Sequence, residues 1–246
     1  MQKFRADLHI HTVLSPCGSL EMSPGNIVQS ALKAKLDIIA ITDHNSTKQV
    51  AVVKRMAEKQ GLFVIGGAEV NTAEEVHCLA LFEHDDQLAE FQAYLDQHLP
   101  VVKNNPAKFG YQVVVDEDEI ILEEEERLLI IALDAGILEV ERKVHSLNGL
   151  FIPAHIDRPY NGIISQLGFV PRNLTVDGYG ITRRARLYEW ESNPRLTLNP
   201  VLIRNSDAHR PEDVGAQITI FEMEEISFLE IRKTLRGEDE RHIIID

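Results

Sequence analysis

Cysteine is nearly missing from this sequence: Cys17 and Cys78 are the only two in 246 residues. Two thiols build no disulfide framework, and a reducing compartment suits them. Long apolar runs are missing too. None approaches the roughly 20 residues of a membrane span, and Met1-Gln2-Lys3-Phe4 lacks the apolar stretch of a secretory signal. The expectation is a cytoplasmic protein with no membrane partner. Basic residues are scarce beside acidic ones, 25 against 39, for a formal charge of −14. Duplex nucleic acid is held by many Lys and Arg contacts to phosphate, so the charge predicts no duplex partner. A small anionic substrate stays compatible, because a few metal ions reverse a local field. There is no internal repeat, low-complexity tract or Gly/Ser linker, which predicts one domain over residues 1–246.

What is present is an alternation of β-branched apolar runs with helix-like stretches, the pattern of a mainly parallel α/β fold. Strands are expected at Phe4–Ile10, Asp37–Thr42, Leu62–Ile65, Val76–Phe82, Leu150–Pro153, Leu174–Ile181 and Val201–Asn205, with an edge strand at Gln217–Phe221. Helices are expected from Ser23-Pro24 to Ala34, Ser46 to Gln60, Asp86 to His98, Asp134 to Leu147, Thr182 to Glu191 and Ser227 to Arg236. Ser23 reads as an N-cap with proline in the first turn, and Gly61 as a left-handed cap. About seven strand–helix units predict a distorted (β/α)7 TIM-like barrel. A doubly wound open sheet is the alternative.

Residues 104–127 break the rhythm. Eight carboxylates fall in the eleven positions from Asp116 to Glu126. Consecutive like charges on a helix face apart and cannot converge on one cation. The segment therefore reads as a solvated helical insertion, and as the place to look for contact with a second copy of the chain.

Ten histidines are present, and their positions matter more than their number. His9 and His11, at i and i+2, share one side of an extended strand. Asp43-His44 follows the run Asp37–Ile41, and Glu69 follows Gly66-Gly67, whose backbone freedom is expected to turn Glu69 inward. His155 ends the Leu150–Pro153 run, and Asp207-Ala208-His209 follows Val201–Asn205. Singly, each is an ordinary core or capping residue. Together they set an acid or a histidine at nearly every strand's carboxyl end, where barrels of this type hold their chemistry, and they predict a polynuclear metal site. Asp43 is the residue expected to orient an imidazole from behind.

His9-Ile10-His11-Thr12, Thr42-Asp43-His44-Asn45, Glu69, Val76-His77, Ala154-His155 and Ser206-Asp207-Ala208-His209-Arg210 resemble the PHP (polymerase and histidinol phosphatase) family in order and approximate spacing. The resemblance implies a distorted seven-stranded barrel with two or three divalent ions and phosphoesterase chemistry. It implies that His9, His11, Glu69 and Asp207 hold one ion, that Glu69 bridges to a second held by His77 and His155, and that His44 and His209 belong to a third. For His77 it decides against parallel topology, which favours His84, at the other end of the same strand. His84, His98, His145 and His242 read as surface or helix histidines. One departure concerns the third ion. The family places an acid or a histidine five or six residues beyond His-x-His, and here Pro16 and Cys17 stand there. Proline cannot ligate. Cys17 is either a thiolate ligand or a small buried turn residue.

Imidazoles and carboxylates suit Zn²⁺, Mn²⁺ or Fe²⁺ in a catalytic rather than a structural site. Asp207, His209 and Glu69 are the expected catalytic groups. Arg158, which resembles a substrate-contacting family position, together with Arg184 and Arg210, is expected to hold phosphate, and Arg183 and Arg186 lie beside Arg184. The expected partner is a small phosphorylated substrate, such as a nucleotide, a nucleoside bisphosphate or a histidinol-phosphate-like molecule. Two alternatives stand beside it: an amidohydrolase-like hydrolase of C–N or C–O bonds, for which no strand-end lysine is evident, and a non-catalytic metal-bound interaction module.

Overall fold

The computed structural model describes residues 1–245. In chain order its elements are β1 (Gln2–Ile10), α1 (Pro24–Lys33), β2 (Ile38–Ile41), α2 (Val50–Glu58), β3 (Phe63–Asn71), β4 (His77–Phe82), α3 (Asp85–His98), α4 (Pro106–Phe109), β5 (Val113–Val115), β6 (Ile121–Glu124), α5 (Ile137–Ser146), β7 (Leu150–Pro153), α6 (Ile163–Leu167), β8 (Tyr179–Ile181), α7 (Leu187–Glu191), β9 (Leu202–Arg204), β10 (Thr219–Met223), α8 (Phe228–Leu235) and β11 (His242–Ile244). None of these helices is long and apolar enough to cross a membrane.

Seven strands form one curled sheet in the order β11-β10-β1-β2-β3-β4-β7. Strand residues alternate between two cores. Ile39, Ile41 and Val64 meet the apolar faces of α1 and α2, whereas Leu8, Ile38, Ala40, Leu79 and Ile152 fill the concave side, which Phe228, Ile231 and Leu235 of α8 help close. The N-cap read from sequence at Ser23 holds, its hydroxyl accepting from Asn26 N–H, and the structure adds another at Ser227, whose hydroxyl accepts from Glu230 N–H. A separate parallel pair, β8–β9, lies between β7 and β1. Ile156 N–H donates to Gly180 O on one side, and Leu8 N–H donates to Asn205 Oδ1 on the other.

The sheet is mixed, and here the uniform parallel alternation expected of a (β/α)7 barrel gives way. β1, β2 and β3 run parallel, but β4 is antiparallel to both β3 and β7, and β10 is antiparallel to β1. The link from β3 to β4 is a short turn rather than a helical crossover, so the two can only pair antiparallel. Gly66 and Gly67 also differ from expectation. They lie inside β3 rather than at a turn, and a side-chain carbon on Gly67 would meet Ala80 O at 2.3 Å. The glycine lets β3 and β4 approach, and β3 runs on through Glu69.

The acidic segment is helical only at Pro106–Phe109; the rest is the β5–β6 hairpin. Its charge is taken up by α2 and neighbouring residues. Lys48 reaches Glu123 at 2.6 Å and Glu125 at 2.9 Å, while Arg55 and Lys59 hold Glu117. Gln49, fully buried, donates to Val115 O and accepts from Val115 N–H, pairing with β5 as a strand neighbour does.

Candidate metal centre

The carboxyl ends of β1, β2 and β3 come level where Ile10 pairs with Ile41 and Ile41 with Gly66. The β1–β2 register slips between Asp7 and Ile10, an irregularity of the kind that re-aims side chains at strand ends. His9 and His11 emerge there. β3 outruns its neighbours, and Glu69 N–H donates to Thr42 O and Asp43 O, laying Glu69 beside His44. Because β4 is antiparallel, its first residue is the one at this end. That is why His77 reaches the centre while His84, beyond the other end of the strand, is exposed. Ala154 N–H donates to His77 O, which places His155 alongside.

Five histidines converge on Glu69, which is 1% exposed. Its Oε2 lies 3.3 Å from His9 Nε2, 3.2 Å from His11 Nε2 and 3.3 Å from His44 Nδ1. Its Oε1 lies 3.1 Å from His77 Nδ1 and 3.0 Å from His155 Nε2. Asp207 Oδ1 faces the first two histidines at 3.3 and 3.2 Å. Ligand atoms fall within 4.8 Å of one another in three groups: His9, His11, Glu69 and Asp207; His44, Glu69 and His77; and His11, Cys17, His44 and His209. Two of these residues carry backbone strain, with φ of +31° at His155 and +54° at Asp207. Side chains other than glycine rarely occupy that region, and such strain gathers at functional sites.

The electrostatics call for a cation. Burial works against ionising Glu69, yet the charges of His9, His77 and His44 hold its carboxyl well below the usual range. Asp207 is depressed likewise, chiefly by His9 against the cost of burial. Burial also opposes charge on His11, but its hydrogen bonds to Asp207 and Glu69 lift the imidazole to about 10. Burial pushes His44 and His155 down, and burial with the charge of His11 brings His209 to about 4. These three are neutral near pH 7, the form that ligates. Among the described residues His44 Nδ1, which faces Glu69 Oε2 at 3.3 Å, is buried without a hydrogen-bond partner. An orphaned buried group costs about 1–3 kcal/mol, and a metal ion satisfies it. The donor set fits divalent ions.

Residues behind the centre set its geometry. Asp43 accepts from Thr12 N–H and from the hydroxyls of Thr12 and Ser15. Ser15 Oγ lies 2.9 Å from His11 Nδ1. Asp43 thus acts on His11 through Ser15. Asp7 accepts from Ser206 and Gly215 N–H, anchoring the loop that carries Asp207, and burial pushes its pKa up to about 6. Neither Ser15 nor Asp7 stands out in the sequence, because their partners are distant in the chain. His145, read as a surface or helix residue, lies in α5, part-buried between Glu141 at 2.6 Å and Asp177 at 2.9 Å.

A cavity of about 510 Å³ opens beside His9, His155 and Asp207, lined by Arg158, Arg183 and Arg184. Arg158 Nη2 lies 2.6 Å from Asp207 Oδ2. Asp157 accepts from Thr182 N–H and hydroxyl, fixing the start of the segment that bears Arg183 and Arg184. Arg210 and Arg186 are exposed and do not line the cavity; Arg186 bonds instead to Tyr188. The helix expected from Thr182 begins only at Leu187.

Residues 7–161 match the PHP domain. An uncharacterised protein of Methanocaldococcus jannaschii is 35% identical over 91 residues, covering 33% of this chain and 52% of that protein. The lesion-specific Endonuclease Q of Pyrococcus furiosus superposes with a TM-score of 0.71 at 20% identity, over 98% of this chain and 58% of its own. A structure of Endonuclease Q with a 27-mer duplex, an abasic lesion at its active site, superposes at 0.70 and 19% identity, with the same coverage. A candidate metal-dependent phosphoesterase of Bifidobacterium adolescentis superposes at 0.56 and 18% identity, over 84% of this chain and 88% of its own. The chain therefore spans little more than half the length of the first two relatives.

The Endonuclease Q complex overturns the expectation that duplex nucleic acid is excluded, and no likeness bears out a small phosphorylated molecule as the partner. The formal charge of −14 averages over the whole surface, much of it the acidic hairpin. The cavity itself sets Arg158, Arg183 and Arg184 against Asp157, Asp207 and Asp213, a balanced lining rather than an acidic one.

Proposed function

The chain belongs to the PHP domain family, and from that premise we propose that it is a metal-dependent hydrolase of phosphoester bonds carried on a nucleic-acid strand. The observation that carries the reading is the convergence of five histidines on Glu69 beside an arginine-lined cavity. His9, His11, Glu69 and Asp207 would hold one ion, His77 and His155 with Glu69 would hold a second, and His44 and His209 face the remaining corner. When bound, such ions polarise phosphoryl oxygens and lower the pKa of water toward neutrality. Zn²⁺, Mn²⁺ and Fe²⁺ all match the donors.

The chain's own groups do the rest. Arg158 and Arg184 hold the phosphate from the cavity side, where a guanidinium fork suits its oxygens. Asp207, already paired with Arg158, is placed to take a proton beside the phosphorus. His209, neutral near pH 7, stands on the outer side in the form that ligates. Asp157 keeps the arginine segment in place through Thr182. The cavity volume lies within the range of pockets that take one small-molecule-sized group, so it admits a single nucleotide unit while the strand runs over the open rim. The likeness to Endonuclease Q supports this choice of substrate class.

The test combines metal analysis of the purified protein with hydrolysis of a panel under Mn²⁺ and Zn²⁺. The panel holds single-stranded and duplex oligonucleotides, intact and with an abasic site, together with mononucleotides, histidinol phosphate and an aryl phosphate. Two or three ions per chain and chelator-sensitive cleavage of an oligonucleotide support the proposal. Bound metal with no phosphate released and no strand cut overturns it.

A further inference from the structure

We propose that Cys17 ligates an ion through its sulfur, together with His44 and His209, and that this thiolate makes the outer corner of the centre prefer Zn²⁺ or Co²⁺ over Mn²⁺ or Mg²⁺. The inference rests on the metal-centre reading above and concerns a residue that departs from the family's acid or histidine. Cys17 is exposed at the mouth, with its Sγ 2.9 Å from His209 Nε2. All four ligand atoms of His11, Cys17, His44 and His209 lie within 4.8 Å of one another. Zinc takes sulfur at about 2.3 Å and imidazole nitrogen at about 2.0–2.1 Å, so donors of one site fall within roughly 4–5 Å of each other. His44 is 3% exposed, and its Nδ1 has no hydrogen-bond partner. Three imidazoles and a thiol turned toward one point are a donor set, not a chance surface cysteine.

The backbone holds Cys17 there. Gly18 N–H donates to Ser15 O, and Ser19 N–H donates to His209 O, so the Cys17 loop is tied directly to the His209 loop. A side-chain carbon on Gly18 would meet Thr12 O at 2.5 Å, so this close turn needs glycine. Ligation replaces the S–H bond with a sulfur–metal bond and releases the proton to solvent. Thiolate is a soft ligand that favours borderline ions, whereas a carboxylate in the same place suits hard ones.

Cobalt(II) gives a readout independent of turnover, because thiolate ligation produces a near-ultraviolet charge-transfer band. The wild-type protein loaded with Co²⁺ is expected to show that band. Cys78→Ala should keep it, since Cys78 lies buried in the core. Cys17→Ser should lose the band and bind one ion fewer per chain, with an unchanged circular dichroism spectrum. Cys17→Asp should regain the ion and shift competition between Zn²⁺ and Mn²⁺ toward Mn²⁺ by about tenfold or more. Cobalt bound without the band, or a band that survives Cys17→Ser, overturns the role of Cys17 and leaves the metal centre standing. A protein that binds no cobalt at all overturns both.

Discussion

Ser15 Oγ sits between Asp43 Oδ1 at 2.6 Å and His11 Nδ1 at 2.9 Å, and so fixes which nitrogen of His11 faces the centre. Groups in that position behind a ligand typically alter metal affinity by about 10–100-fold. Ser15→Ala is therefore expected to weaken metal binding by about that factor with the fold retained, as measured by chelator competition; unchanged affinity would show that His11 needs no such support. Glu69 is a different case, because both of its oxygens are engaged. Glu69→Gln replaces one oxygen with an NH2 donor aimed at imidazole nitrogens. Metal content should fall and hydrolysis should be lost, with circular dichroism unchanged; wild-type metal content would sink the bridging role. Arg158 is separable from both. Arg158→Met should keep the ions but lower kcat by about 100-fold, the usual loss when one fixed donor to a developing charge is removed. If instead only KM rises, Arg158 binds substrate without favouring the transition state.

Gln49 ties α2 to β5 through two hydrogen bonds in a fully buried setting. Gln49→Ala strands the Val115 N–H and C=O, each worth about 1–3 kcal/mol when left unpaired. A clear fall in the urea midpoint is expected, whereas an exposed change such as Lys59→Ala should do little. Helix α5 makes a second such claim. His145 pairs first with Asp177 and also with Glu141, and these carboxylates raise its pKa above 6.5 against the opposing effect of burial. Its contribution is fully present below pH 6.5 and is lost as the pH rises through the raised value. The stability gap between wild type and His145→Gln should thus narrow from pH 6 to pH 9; a constant gap would mean the imidazolium contributes nothing. These ties also mark where the sequence stops being legible. β1, β2, β7, α1 and α8 are readable because apolar patterning and the Ser23 cap are local signals. The β5–β6 hairpin is hidden because its partners, Gln49 and Lys48, lie far back in the chain, and its own glutamates read as a solvated helix. The direction of β4 is hidden for another reason: a period of two is the same whichever way a strand runs. Most site histidines and acids stand out because each follows an apolar run, whereas His77 opens its strand and is singled out by the family resemblance alone. Ser15 and Asp7 do not stand out, since only the closed fold brings them to His11 and to the Asp207 loop.

The molecule as a whole is curled so that several strand ends and loops deliver donors to one buried point, and this ties its stability to what occupies that point. Five imidazoles and two carboxylates packed together, with His44 Nδ1 unpartnered, are a poor arrangement for a protein without ions. Ions that bind the folded chain and not the unfolded one stabilise it by mass action, about 2.7 kcal/mol at one hundred times Kd. Chelation should therefore lower Tm, and added Zn²⁺ should raise it in a concentration-dependent way. Because the ligating imidazoles must be neutral, the Zn²⁺-induced rise should shrink as the pH falls toward 5, as competing protons occupy the ligands. Glu69→Gln should lose most of the rise at any pH, since it disrupts the carboxylate that two of the three donor groups share. Differential scanning calorimetry across a Zn²⁺ series checks all three. A Tm indifferent to both Zn²⁺ and chelator would mean that the curled sheet stands on its two apolar cores alone, and that the cluster at its mouth is not a metal centre.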